Sequence, residues 1–111
     1  MLLHAPWGGR LEGVAVLDAF AGTGALGIEA LSRGAASAVF IERDRAALAA
    51  LRANLAVCGG TDAQVIAGDV LRPPPGRPCG LVFLDPPYGH DLLPPALTAL
   101  RAAGWVAPTP L

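Results

Sequence analysis

Four short apolar runs, each ending on or just before an acidic residue, constrain what this chain can fold into. They are Gly13-Val14-Ala15-Val16-Leu17-Asp18, Ala38-Val39-Phe40-Ile41-Glu42, Gln64-Val65-Ile66-Ala67 followed by Gly68-Asp69, and Gly80-Leu81-Val82-Phe83-Leu84 followed by Asp85. A strand with one wet face alternates apolar and polar residues, whereas a continuous apolar run belongs to a strand covered on both faces. With helical segments between the runs, the predicted order is β-α-β-α-β-loop-β-α. That order describes an α/β fold, a Rossmann-like parallel sheet with helices on both faces. Right-handed crossovers bring the carboxyl ends of such strands to one edge, where ligands of open α/β sheets bind. Asp18, Glu42, Asp69 and Asp85 are therefore expected together on the functional edge.

The helices carry their own punctuation. A first helix is predicted over Ala25 to Arg33, with Leu26, Ile28 and Leu31 turned inward, Thr23 as its N-cap and Gly34 as its stop signal. Asp44 is placed to cap a second, in which Leu48, Leu51 and Leu55 recur at i, i+3 and i+7 while Arg45, Arg52 and Asn54 take the polar face. Gly59-Gly60 ends it. A last helix, from about Pro94 to Ala103, sets Leu97 and Leu100 on one face and stops at Gly104, after which Trp105-Val106 reads as the start of a fifth strand. The proline-rich segment Arg72 to Pro78 is expected to be a loop.

Composition narrows the class. The 111 residues are 53% hydrophobic and 15% charged, as expected of one soluble globular domain spanning the whole chain. The most apolar stretch, Gly13 to Leu31, is interrupted by Asp18, Glu29 and four glycines, so no membrane span of about 18 apolar residues is predicted. Met1-Leu2-Leu3 leads into His4, Pro6 and Trp7 instead of a secretory signal, and a cytoplasmic location is expected. Cys58 and Cys79 stand 21 positions apart with no His or Cys at ligand spacing, and His4 and His90 are isolated, so no metal site is predicted. All 8 basic residues are Arg, against 9 acids, for a net charge of -1. A chain that grips nucleic acid by itself usually carries a basic surplus, which this one lacks.

Two motifs carry chemistry. Gly22-Thr23-Gly24-Ala25-Leu26-Gly27 follows the GxGxxG pattern between a strand and a helix, with Glu42 twenty residues after its first glycine. Glycines there let the backbone approach a nucleoside cofactor, and a carboxylate at the next strand end can accept hydrogen bonds from ribose hydroxyls. Asp18 bears on which cofactor. A pyrophosphate at the helix N-terminus would meet an awkward negative neighbour, whereas the ammonium and sulfonium of S-adenosylmethionine would be complementary to it. The second motif is Asp85-Pro86-Pro87-Tyr88. An exocyclic amine is a poor nucleophile that must be held in line and stabilised as it becomes positive. The Asp85 carboxylate and the Pro86 carbonyl can accept its two hydrogens, Pro87 stiffens the turn, and Tyr88 can stack on a splayed-out base.

Taken in order, Asp18-Ala19-Phe20-Ala21-Gly22-Thr23-Gly24 and Asp85-Pro86-Pro87-Tyr88 resemble the class I S-adenosylmethionine-dependent methyltransferases that modify exocyclic amines of nucleic-acid bases. More narrowly, Leu17 to Glu42 is similar to the bacterial small-subunit ribosomal RNA guanine-N2 methyltransferases. The likeness extends from about Leu11 to Val106 and is most specific over Gly24 to Ser37. It implies a methyl transfer to guanine N2 with S-adenosylmethionine as cofactor and ribosomal RNA as partner, with no membrane and no metal. It also implies that Asp18, Phe20, Ala21, Gly22, Gly24, Glu42, Arg43, Asp69, Val70 and Asp85 bind the cofactor, while Asp85, Pro86, Pro87 and Tyr88 serve catalysis.

The family fold has seven strands in the order 3-2-1-4-5-7-6, preceded by a basic, polar segment that contacts RNA. At roughly 25 to 30 residues per strand-helix unit, this chain accommodates about four to five strands and reads as truncated at both ends. Its fourth strand is then an edge with apolar flanks, and self-association through that edge or marginal stability is expected. Two other classes stay open on the residues alone: a NAD-binding oxidoreductase fragment, motivated by the glycine turn and Glu42, and a methyltransferase-like domain without catalysis.

Overall fold

The computed structural model describes residues 11–59, 62–86 and 90–107. Four parallel strands, β1 (Ala15–Ala19), β2 (Ser37–Glu42), β3 (Ala63–Ala67) and β4 (Leu81–Leu84), form one sheet in the order β3-β2-β1-β4. This is the predicted arrangement. Three helices accompany them, α1 (Ala25–Ser32), α2 (Arg45–Cys58) and α3 (Leu93–Ala103), with a 3₁₀ turn at His90–Leu92 before the last. The expected fifth strand begins as a single parallel bridge between Val106 and Cys79, where Cys79 N–H donates to the Trp105 carbonyl at 2.9 Å.

Strand alternation sorts the core into two layers. Val16, Ala38, Phe40, Leu81 and Phe83 pack with Ala30 of α1 and with Leu48, Leu51 and Leu55 of α2 on one face. Leu17, Ala19 and Ile41 pack with Ala96 and Leu100 of α3 and with Trp105 on the other. Each fully buried Leu, Ile or Phe contributes roughly 1.5–3 kcal/mol, so the sheet is held from both sides as its unbroken apolar strands require. The Arg72–Pro78 loop is fastened by Trp105, whose indole N–H donates to the Pro74 carbonyl at 2.7 Å.

Two features of α1 differ from expectation. Its N-cap is Gly24, at φ 88°, and Thr23 makes no side-chain cap. The residues it buries are Gly27 and Ala30, with Leu26, Ile28 and Leu31 half-buried. The cause is close packing: a Cβ on Gly27 would lie 2.3 Å from the Phe40 ring, so α1 approaches the sheet on its smallest residues. By contrast α2 follows the sequence reading. Asp44 accepts the Ala47 N–H at 2.8 Å, the three leucines are buried, and Gly59 closes the helix at φ 67°. In α3 the buried pair is Ala96 and Leu100, and Gly104 ends it at φ 91°.

Both cysteines are free thiols, Cys58 exposed and Cys79 buried, and burial pushes the Cys79 thiol up. Among the described residues, no helix is long and apolar enough to cross a membrane, and no three His, Cys, Asp or Glu side chains gather as metal ligands.

Candidate functional site

Strand register decides which acids meet. Ala19 of β1 lies beside Ile41 of β2 and Leu84 of β4, and Glu42 lies beside Ala67 of β3. The carboxyl ends of all four strands therefore line up, and the residues that follow them open onto one cleft of about 940 Å³. Phe20, Gly22, Glu42, Arg43, Asp69, Val70 and Asp85 all line it, joined by Ile41, Asp44, Arg45, Leu71 and Leu92.

Glu42 is the most connected of these. Its Oε1 accepts the Gly22 N–H at 2.7 Å, and its Oε2 accepts the N–H groups of Arg43 at 3.1 Å and Asp44 at 2.9 Å. One carboxylate thus ties the glycine turn to the start of α2. Asp69 is held similarly: its Oδ1 accepts the Leu71 N–H at 2.9 Å, and its Oδ2 lies 3.9 Å from the Arg43 guanidinium. Both of those side chains are substantially exposed, so this ion pair adds little stability. Asp85 is exposed just past β4. Phe20 adopts φ 58°, the one non-glycine residue among those described in the left-handed region, where bulky side chains are rare.

Asp18 departs from expectation. It is 2% exposed and does not line the cleft: on the α1 face with Val16, it pairs in register with Phe40, two residues below the level of Glu42, and α1 covers it. There its Oδ2 accepts the Gly27 N–H at 3.0 Å. Burial raises its carboxyl to about 7; the Gly27 hydrogen bond opposes the rise, and the nearby charges of Glu42 and Asp85 add to it. Ala21 and Gly24 do not line the cleft either. Ala21 donates its N–H to the Ile41 carbonyl at 2.9 Å, and Gly24 is buried so closely that a Cβ would sit 2.3 Å from Leu51 Cδ1. They shape the turn from behind. Pro86 is half-buried next to Asp85, while Pro87 and Tyr88 lie outside the described residues, as does the side chain of His90.

Sequence reasoning passed over Leu71 and Leu92, which add to the apolar part of the cleft wall formed with Phe20, Ile41 and Val70. Leu71, an apolar residue in a polar loop two positions after Asp69, was the available signal. It also passed over a contact behind the turn, where the Asn54 amide of α2 donates to the Thr23 carbonyl at 3.0 Å.

The cleft is acceptor-rich. Four acids, Glu42, Asp44, Asp69 and Asp85, face two arginines, Arg43 and Arg45, among the residues that line it. Such a set of acceptors suits a ligand that brings hydroxyls and positive charge, and opposes a diphosphate. Gly22 at φ 60° has open space where a Cβ would point, so the turn leaves room for a ligand against its backbone.

A family model described as conserved hypothetical protein 95 matches residues 3–111. The chain is 44% identical over 93 residues to ribosomal RNA small subunit methyltransferase D of Escherichia coli K12, covering 82% of this chain and 47% of that protein. It is 40% identical over 101 residues to the protein of the same name from Haemophilus influenzae, covering 86% and 52%. The solved structure of the Escherichia coli protein yhhF superposes with a TM-score of 0.80 at 42% identity, over 86% of this chain and 55% of that one. The chain spans about half the length of the curated relatives it matches.

Proposed function

The chain belongs to the family described as conserved hypothetical protein 95 and has the class I methyltransferase fold, and from that premise we propose that its cleft binds S-adenosylmethionine and serves methyl transfer to guanine N2 of small-subunit ribosomal RNA. The observation that carries the reading is the convergence of Glu42, Asp69 and Asp85, from three different strand ends, on one cleft beside the Gly22 turn. The names of the relatives at 40–44% identity support the ribosomal RNA substrate. Against a dinucleotide stands the surplus of acids along the cleft.

When bound, S-adenosylmethionine supplies a methyl group on a positively charged sulfur. The protein's part is binding, orientation and charge. Glu42 accepts hydrogen bonds from the ribose hydroxyls, its position already fixed by three backbone N–H groups. Asp69 and Val70 take the adenine, with Arg43, Leu71 and Phe20 as walls. Asp18 acts from behind the turn, holding the start of α1 through the Gly27 N–H. Asp85 and the Pro86 carbonyl accept the two hydrogens of the attacking amine, which places its lone pair in line and stabilises the positive charge it gains. Pro87 limits the motion of that turn, and Tyr88 stacks on the base. Beyond the Cys79–Val106 bridge, β4 has no strand on its outer side among the described residues, and we include self-association through this edge in the proposal.

Calorimetric titration with S-adenosylhomocysteine, with NAD as control, tests the cofactor. Binding of the first alone is expected, and binding of NAD alone would overturn the reading. Asp85→Ala is expected to lower methyl transfer to small-subunit ribosomal RNA far more than S-adenosylhomocysteine affinity, since its main partner is the attacking amine, and an equal loss of both would overturn that role.

A further inference from the structure

We propose that Asn54, on the outer face of α2, is a positioning residue that sets the shape of the glycine turn in the cofactor cleft; this rests on the proposed cofactor reading. Two backbone groups of the turn exchange their helical partners for side chains. In a helix continued back by one residue, the Thr23 carbonyl would accept the Gly27 N–H. That N–H is diverted to Asp18 Oδ2 at 3.0 Å, and the chain leaves helical geometry at Gly24, φ 88°. The Thr23 carbonyl instead accepts from Asn54 Nδ2 at 3.0 Å, across 31 residues of sequence.

The turn is consequently held at three points. Glu42 Oε1 takes the Gly22 N–H, Leu51 packs under Gly24, and Asn54 takes the carbonyl between them. Leu51 and Asn54 are one helical turn apart on α2, so both contacts come from one rigid element. The same helix begins at Asp44 and Arg45, which line the cleft. Asn54 thereby sets the glycine turn in register with the opposite wall. A bond to a neutral carbonyl at an exposed site contributes little to global stability, so its expected effect falls on the turn and on what the turn binds.

The experiment compares Asn54→Ala and Asn54→Asp with the parent chain. Alanine has the higher helix propensity, so Asn54→Ala should keep or raise the melting temperature. Asp keeps the shape but turns an oxygen toward the Thr23 carbonyl. We expect S-adenosylhomocysteine affinity to fall about three- to tenfold in Asn54→Ala, the worth of one neutral hydrogen bond, and further in Asn54→Asp. In the ligand-free protein, the Gly22 and Gly24 amide resonances should shift in both variants while those of β3 stay in place. Unchanged affinity together with unmoved Gly22 and Gly24 resonances would overturn the proposal. If the parent chain binds no S-adenosylhomocysteine, the cofactor reading fails, and the two glycine resonances alone decide the role of Asn54: a shift sustains it and none refutes it.

Discussion

Asp18 Oδ2 accepts the Gly27 N–H at 3.0 Å, so the acid that closes the first strand holds the helix that follows the glycine turn. The bond is buried, and burial is what lifts the Asp18 carboxyl from its ordinary 3.8 to about 7. A carboxyl with a higher pKa folded than unfolded binds its proton more tightly in the folded chain. Its stabilising contribution is therefore fully present below pH 3.8 and is lost as pH rises to about 7. Asp18→Asn keeps an oxygen for Gly27 and carries no charge. The variant should lack this part of the decline and melt higher than the parent above pH 7. Melting curves across that range check it, and parallel profiles for the two proteins would count against the assignment.

Gly27 also sets the distance between α1 and the sheet. A Cβ there would meet Phe40 Cε2 at 2.3 Å, Cζ at 2.7 Å and Asp18 Oδ2 at 3.1 Å, and Phe40 is fully buried. Helix propensity favours Ala by about 1 kcal/mol, while overpacking a core costs about 1–3 kcal/mol. The second effect wins. Gly27→Ala is expected to lower the melting temperature by roughly 4–8 °C for each kcal/mol lost. A rise on scanning calorimetry would refute the close packing.

Glu42 offers a test of the turn from the cleft side. Its two oxygens accept from three backbone N–H groups, one on Oε1 and two on Oε2. Glutamine has only one oxygen, so in Glu42→Gln its NH₂ must face a donor. Loss of about 0.5–1.5 kcal/mol is expected, because two of the three bonds are exposed and water can replace them, with S-adenosylhomocysteine affinity down tenfold or more. Denaturant melts and calorimetry read the two effects separately, and a variant equal to the parent in both would contradict the geometry.

Phe20, at φ 58°, gives a reversed order of substitution. Both Phe20→Ala and Phe20→Gly remove the ring, but only glycine relaxes the left-handed backbone. Phe20→Gly is therefore expected to be about 1 kcal/mol more stable than Phe20→Ala, against the usual penalty for glycine. Chemical denaturation of the pair decides the matter: alanine the more stable would mean that the backbone there is unstrained.

The amino-acid sequence by itself determined the elements and their order. Continuous apolar runs such as Leu81-Val82-Phe83-Leu84 allow only buried parallel strands, and Asp44, Gly59 and Gly104 punctuate helices through bonds and backbone angles local to them. It also brought Glu42, Asp69 and Asp85 to one edge, because parallel strands joined by right-handed crossovers leave their carboxyl ends no other place. Tertiary structure decided the direction and partner of each side chain. Asp18 and Glu42 both read as strand-end acids and share the same face of the sheet, yet the register pairs Asp18 with Phe40, two residues short of Glu42, so Asp18 is buried beneath α1 while Glu42 reaches the cleft. The Asn54 bond to Thr23 depends on where α2 crosses the glycine turn, and the burial of Gly27 in place of Leu26 depends on the Phe40 ring opposite. Periodicity records what one segment prefers along its own axis; which atoms stand across from it is set only when the layers pack.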